Sequence, residues 1–464
     1  MLKSPGARFL TVGLLALFMF IPLTMVGTVI ESRADYSRAT ISSVGAEWGG
    51  QQRIYGPVLV LPVRGPVTIK DNREVVDPVT GAVTVEVFEV TKVQMKSSVF
   101  VLPTKFDANL ATVTEQRKRG IFQVPVYTAD LSIDFDFVTD DATDWLQTGE
   151  EILWDRAHLQ VGLSANKALR GAADLIVDGQ PFAMEPRGAD RSGASGIRAE
   201  LGDPRDHRSY TLSLGFNGAE NVSIAPVGRV SNVRMQSDWP HPSFNGAYLP
   251  NDHSVSEAGF VANWSIPHLA RNLPQISRVD TGSMVGEVAF GVRFFQPNDF
   301  YQKAYRAANY GILFVALTFL TVLLIEMRQE KQAHPVQYIL IGLAQAIFVL
   351  LMVAYAEQIG FAYAYLLASV ATVGLLIVYG ITGLKLGRRV WVLGAMLVVL
   401  YGLLYMILRS ADYALLAGAT LSFAALAGTM IATRNEDWSG PEGVAGRGFF
   451  RKKPKGVIPP KPAE

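Results

Sequence analysis

Tyr338-Ile-Leu-Ile-Gly-Leu-Ala-Gln-Ala-Ile-Phe-Val-Leu-Leu-Met-Val-Ala-Tyr-Ala356 runs for 19 residues without a charged side chain. A helix crossing a bilayer core of about 30 Å takes about 20 predominantly apolar residues. Reading outward, the four-residue gap Glu357-Gln-Ile-Gly360 is followed by Phe361–Leu384, Val390–Leu408 and Tyr413–Ala432. On the other side lie Tyr310–Ile325 and, far upstream, Phe9–Ile30. No Lys, Arg, Asp or Glu interrupts these six segments. One such run also suits a buried core helix, but five in the last 155 residues point to a membrane bundle.

Lys and Arg in the short loops set the orientation. The N-terminus carries Lys3 and Arg8, the loop after the second segment Arg328 and Lys331, and the loop after the fourth Lys385, Arg388 and Arg389. The tail is basic from Arg434 to Lys461, whereas the alternate short loops hold no basic residue or only Arg409. Both termini are expected in the cytoplasm, with residues 31–306 on the far side. The first segment reads as an uncleaved anchor. Its 22-residue apolar run exceeds the roughly 7–15 residues of a signal peptide, despite the Ser32-Arg33-Ala34 cleavage match.

The composition fits such a mixed chain. Of 464 residues, 49% are hydrophobic and 18% charged, against roughly 25% charged in soluble domains. Mean hydropathy is +0.22. The net charge of +1 hides a division: residues 31–306 hold 27 Lys/Arg and 33 Asp/Glu, the remainder 15 and 8. The positive excess falls on the expected cytoplasmic segments. Nothing in the balance suggests a nucleic-acid partner. The absence of cysteine excludes disulfides, thiol nucleophiles and Cys-ligated metal centres.

Residues 31–306 read as β-rich. Leu131-Ser-Ile133-Asp-Phe135-Asp-Phe137 alternates strictly, which puts the apolar residues on one face and the aspartates on the other. Val83–Val90, Val58–Val63, Tyr210–Phe216, Val230–Met235 and Gly259–Ile266 are further strand candidates. About ten short strands separated by turn formers such as Asp178-Gly179 suggest one or two sandwich-like units. An acidic, strand-poor seam near 139–151 allows two lobes. Ser37–Trp48 reads as a short helix and the Gly-, Ser- and Arg-rich Arg187–Arg198 as an exposed loop. The expected fold is therefore membrane α-helical, with six transmembrane helices, plus a β-rich, sandwich-like external domain, α+β overall. The domains are 1–30 (cytoplasmic N-terminus and first span), 31–306, a five-helix bundle at 307–432 and a disordered basic cytoplasmic tail at 433–464.

No Walker A loop, G-x-G-x-x-G or H-E-x-x-H motif occurs, and Gly193-Ala-Ser-Gly196 falls short of a nucleophile elbow. His241, His253 and His268 lack the spacing of metal-ligand pairs. No catalytic residue, cofactor or metal is therefore assigned. Two sets of residues stand out. Trp239-Pro-His241-Pro-Ser-Phe244 carries two prolines that bar an interior strand. Trp239, His241 and Phe244 form either an exposed interaction loop or a rigid crossing whose aromatics plug the core. Arg293, Gln296, Asp299 and Arg306, with Glu357, are candidates for a polar junction between domain and bundle. No charged residue falls mid-span, which argues against an ion-coupled transporter. Glu326 is expected at the membrane interface and Glu357 in a solvated loop.

Trp48-Gly-Gly-Gln-Gln52, Gly56-Pro-Val-Leu-Val-Leu-Pro62, Arg119-Gly-Ile-Phe-Gln-Val-Pro-Val-Tyr127, Ser237-Asp-Trp-Pro-His-Pro-Ser-Phe-Asn-Gly-Ala-Tyr-Leu-Pro250, Gly291–Tyr301, His334–Gly342 and Ala356-Glu-Gln-Ile-Gly-Phe361 follow one another along the chain. With these motifs the chain resembles the CreD family of inner-membrane proteins. Their order along nearly the whole chain carries the likeness. One departure is Glu357-Gln358, where Glu-His is common in the family. The resemblance implies a bacterial inner-membrane protein, with residues 31–306 periplasmic and a role in envelope integrity and stress response. It implies no reaction. Expected partners are membrane lipid and a periplasmic or membrane protein. The rival readings are a transporter or enzyme handling envelope lipid or glycan precursors, and a regulatory partner of a two-component sensor.

Overall fold

The computed structural model describes residues 5–76, 83–188, 195–280, 282, 285–294, 300–327, 332–409 and 414–434. The basic tail from 435, the tip of the Arg187–Arg198 stretch, Gln296 and Asp299 fall outside these residues. The chain divides into two compact units, one of residues 1–35 and 299–464, the other of residues 36–298.

The first unit is helical. Helices α1 (Pro5–Phe18) and α2 (Phe20–Trp48) are parted by a turn at Met19. Pro22 lacks the amide that would bond back to the Phe18 carbonyl, so the helical ladder breaks there. After the one-turn helix α3 (Val285–Val288) in the second unit come α4 (Phe300–Glu326), α5 (Pro335–Ile359), α6 (Phe361–Thr382), α7 (Val390–Arg409) and α8 (Ala414–Thr433). His334 caps α5 in a reciprocal capping box with Gln337. Gly360, at φ 80°, lets the chain turn directly into α6.

Among the described residues, five helices are long and apolar enough to cross a membrane, against the six expected: Gly6–Trp48, Phe300–Glu326, Pro335–Ile359, Phe361–Thr382 and Gly387–Arg409. The sixth segment does form an apolar helix, α8. Its qualifying stretch, Gly418–Ile431, is shorter than the roughly 20 residues of a full span. Met19, Leu23, Val26 and Ile30 of the N-terminal helices share one core with Phe319, Val349, Leu397 and Tyr401. Close approach has a sequence cause at Gly342, where a Cβ would lie 2.4 Å from the Met19 sulfur.

The second unit is a two-sheet sandwich, ten strands in one sheet and eight in the other. In the first sheet, strands β1 (Gln52–Val76) and β2 (Val83–Val101) form a long antiparallel hairpin. In the second, β3 (Lys105–Arg119) and β4 (Phe122–Phe135) do the same. Leu131, Ile133 and Phe135 face inward from β4 while Asp134 faces out, as the alternation predicts. One hydrophobic core joins the two sheets, with Phe106, Tyr127, Tyr210, Phe216, Trp264 and Phe290 among its fully buried side chains. The 139–151 region lies beside this core as a short helical turn, Asp140–Trp145, and a two-residue strand, Glu151–Ile152.

Three elements differ from the sequence reading. Ser37–Trp48 is not a separate helix but the end of α2, where Ile41, Val44 and Trp48 cover Val124, Val126 and Ala219. The flanks of the Arg187–Arg198 stretch are paired strands, Glu185–Arg187 with Ser195–Glu200. A Cβ at Gly196 would lie 2.2 Å from the Val161 carbonyl, so glycine serves strand contact there rather than a loop. Finally, β1 and β2 are far longer than short sandwich strands. Among the described residues, from Pro66 and Val93 outward they pair only with each other, forming a two-stranded arm.

Candidate functional site

Glu357 lies in the last turn of α5, Tyr301 in the first turn of α4 and Arg33 in α2, all within the helical unit. Helices α4 and α5 are antiparallel neighbours, so the start of one and the end of the other meet. Arg33 donates to both carboxylate oxygens of Glu357, Nη2 to Oε2 at 2.8 Å and to Oε1 at 2.9 Å. The Tyr301 hydroxyl donates to Oε1 at 2.9 Å. The Glu357 side chain is 11% exposed and that of Arg33 41%. A forked guanidinium suits a carboxylate in this two-pronged way, which fixes orientation as well as charge. The arrangement joins three helices at one end of the bundle.

Glu357 is therefore not the solvated loop residue expected from its short gap. The last turn of α5 carries it into an ion pair. Of its proposed junction partners, Arg293 lies in the strand Phe290–Phe294 of the other unit, paired with Asn221 and Ser243 in the sheet register. Arg306 is half-buried on α4. Arg33 and Tyr301 were missed in the sequence. The available signal was position: Arg33 lies three residues past one apolar run and Glu357 one residue past another, at the same expected end.

At the other end of α4, its last residue Glu326 is 3% exposed, beside Tyr338 on the facing helix. Between these ends the Gln345 amide donates to the buried Thr318 hydroxyl at 2.7 Å. The polar groups on α4 and α5 thus face each other inside the bundle.

In the sandwich, Trp239 is buried. Its indole N–H donates to the His241 carbonyl at 3.1 Å, and its ring meets Phe294 edge-on at 6.3 Å. Phe244 packs against Phe260, Trp264 and His253 at centroid distances of 5.8, 5.9 and 5.1 Å. Only His241 of the three is exposed. Pro242 opens the strand Pro242–Gly246, which occupies a sheet edge, where a missing amide costs no ladder bond. Among the described residues, no three His, Asp or Glu side chains gather in a way that could hold a metal ion.

The arm has its own features. Val87, Val93 and Met95 lie on one face of β2 and are all exposed, Val93 at 70%. At the arm's base Glu150 is enclosed. It accepts from Arg278 Nη1 at 2.7 Å and the Gln147 amide at 2.9 Å, with the Lys96 ammonium 3.8 Å away. The Arg278 hydrogen bond, then that from Gln147, holds the Glu150 carboxyl below the usual carboxylate range.

The family profile described as "Inner membrane protein CreD" matches residues 4–439. The inner membrane protein CreD of Escherichia coli (strain K12) is 31% identical over 428 residues, 91% of each chain. With membrane-length helices, a large β-rich unit and a match over nearly its whole length, the chain belongs to the CreD family of inner membrane proteins.

Proposed function

We propose that this protein is a non-enzymatic envelope component that supports or modulates cell-envelope integrity and the stress response through contacts made by its β-rich unit. In this reading residues 31–306 are periplasmic and both termini cytoplasmic. The positive loops and the acidic excess of 31–306 support that orientation. It requires α8 to cross the membrane as well.

The arm is the observation that carries the reading. A two-stranded ribbon has little stability of its own, and apolar side chains grouped on one face of a water-exposed surface mark contact sites. Val87, Val93 and Met95 meet both descriptions. In-cell photo-crosslinking from positions 87 and 93 of the full chain, read by mass spectrometry, tests it. One dominant protein adduct is expected. Recovery of lipid or glycan instead would favour a protein that handles envelope precursors.

A further inference from the structure

Helices α6 and α7 leave a lateral groove of about 700 Å³ between them. Tyr365, Ser369 and Val373 line it from α6, and Tyr401, Gly402 and Tyr405 from α7. Two glycines keep it open. A Cβ built at Gly374 or at Gly402 meets nothing within 4 Å, so larger side chains there would fill the groove without clashing. The Tyr365 hydroxyl donates to the Tyr401 carbonyl at 2.5 Å and ties the two walls together. Along α6 the lining runs from Ala362 to Ile377, about 22 Å at the helical rise. That is more than half of a hydrocarbon core of about 30 Å.

One end of the groove has a different chemistry. Phe361 stacks on Tyr405 at 6.2 Å, and Tyr365 lies 5.2 Å from Tyr405. The Lys303 ammonium sits 4.9 Å above the Phe361 ring. Tyr401, Tyr405 and Arg409 follow at intervals of four on α7, so Arg409 continues the tyrosine row past the groove. An apolar trough within the bilayer thus ends in an aromatic girdle and two cationic residues. Aromatic rings of this kind sit at headgroup level, and basic side chains there attract anionic lipid.

We propose that the groove between α6 and α7 is a binding site for an anionic phospholipid from the leaflet at the Phe361 end. One acyl chain lies along the glycine-floored trough, and the phosphate lies by Lys303 and Arg409. The charge at the groove's end distinguishes this occupant from a second apolar helix. The inference needs only the membrane placement of the bundle and not the proposed role of the β-rich unit.

The test uses the full chain in phosphatidylcholine nanodiscs doped with phosphatidylglycerol carrying a diazirine in its acyl chain. Photolabel is expected to concentrate on 362–377 and 398–405. In G374L/G402L that label should fall at least about fivefold, with labelling of the exposed face of α5 and the thermal midpoint unchanged. In K303Q/R409Q the label from phosphatidylglycerol should fall while that from diazirine-tailed phosphatidylcholine holds. Even labelling of all lipid-facing helices, undiminished label in G374L/G402L, or chain-to-chain crosslinks at the groove would overturn the site. An unchanged phosphatidylglycerol preference in K303Q/R409Q would overturn the headgroup assignment.

Discussion

In the sandwich, Trp264, Phe216 and Phe290 are buried while Asp134 and Arg234 on neighbouring strands face outward. In the bundle, the outward positions are instead Leu366, Val370, Val398 and Met406, each more than 60% exposed. Both units close an apolar core. They differ in what their outer surfaces meet: water demands polar groups, and lipid tails accept Leu and Val. Exposed valines on α6 therefore need no partner, whereas apolar side chains set together on a water-facing strand mark a contact face. Leu249, Leu269 and Val279 are also exposed elsewhere in the sandwich, but the arm sets three exposed apolar side chains on one face of one strand.

The largest effect should separate the two kinds of position. Trp264→Ala empties a site that is 2% exposed and removes ring contacts with Phe290 and Phe244. About 3–5 kcal/mol of stability should be lost. Leu366→Ala on the lipid face should stay within about 0.5 kcal/mol. Thermal melts of both variants in nanodiscs check this, and equal losses would undo the contrast.

A smaller effect belongs to the ion pair that joins α2, α4 and α5. Glu357→Ala removes the carboxylate to which both the Arg33 guanidinium and the Tyr301 hydroxyl donate. A loss of about 1–2 kcal/mol is expected, between the values for surface and buried pairs. In a double-mutant cycle with Arg33→Ala, the combined loss should be well short of additive. Strict additivity would show that the pair contributes no coupling.

Acid should act on the sandwich at the arm's base. Glu150 has a folded pKa held below its unfolded value of about 4.3. Its stabilising contribution is thus fully present above that value and is lost as pH falls through the depressed one. Between about pH 5 and 3, hydrogen exchange in 92–98 should accelerate in the wild type more than in Glu150→Gln, which has no charge to lose. Parallel pH profiles for the two would remove Glu150 from the account.

The smallest effect on stability is expected at the arm itself. Val93→Lys should change the melt by less than about 0.5 kcal/mol, because the residue is 70% exposed. It should nevertheless abolish the protein adduct formed from position 87. Retention of that adduct would separate contact from the apolar face of β2.

Much of the architecture was legible because apolar periodicity is a local property. Runs such as Tyr338–Ala356 and the alternation through Leu131–Phe137 need only neighbouring residues to declare helix or strand. The paired flanks of Arg187–Arg198 were illegible for the opposite reason. Gly196 looks like a loop former until Val161 is seen lying against it. The candidate site was half legible: Glu357 stood out at a span end, but its partner Arg33 is 324 residues away.

Sequence by itself determined which segments are apolar enough for lipid, where the chain becomes β-rich and how charge divides between the two. Those properties depend on composition and short-range period. Tertiary structure alone decided that Glu357 is paired, that Glu326 is buried, that Trp239 and Phe244 belong to the core, and that Gly374 and Gly402 open one groove. Each of these depends on which distant surfaces come into contact, and a period of two or 3.6 residues carries no record of that.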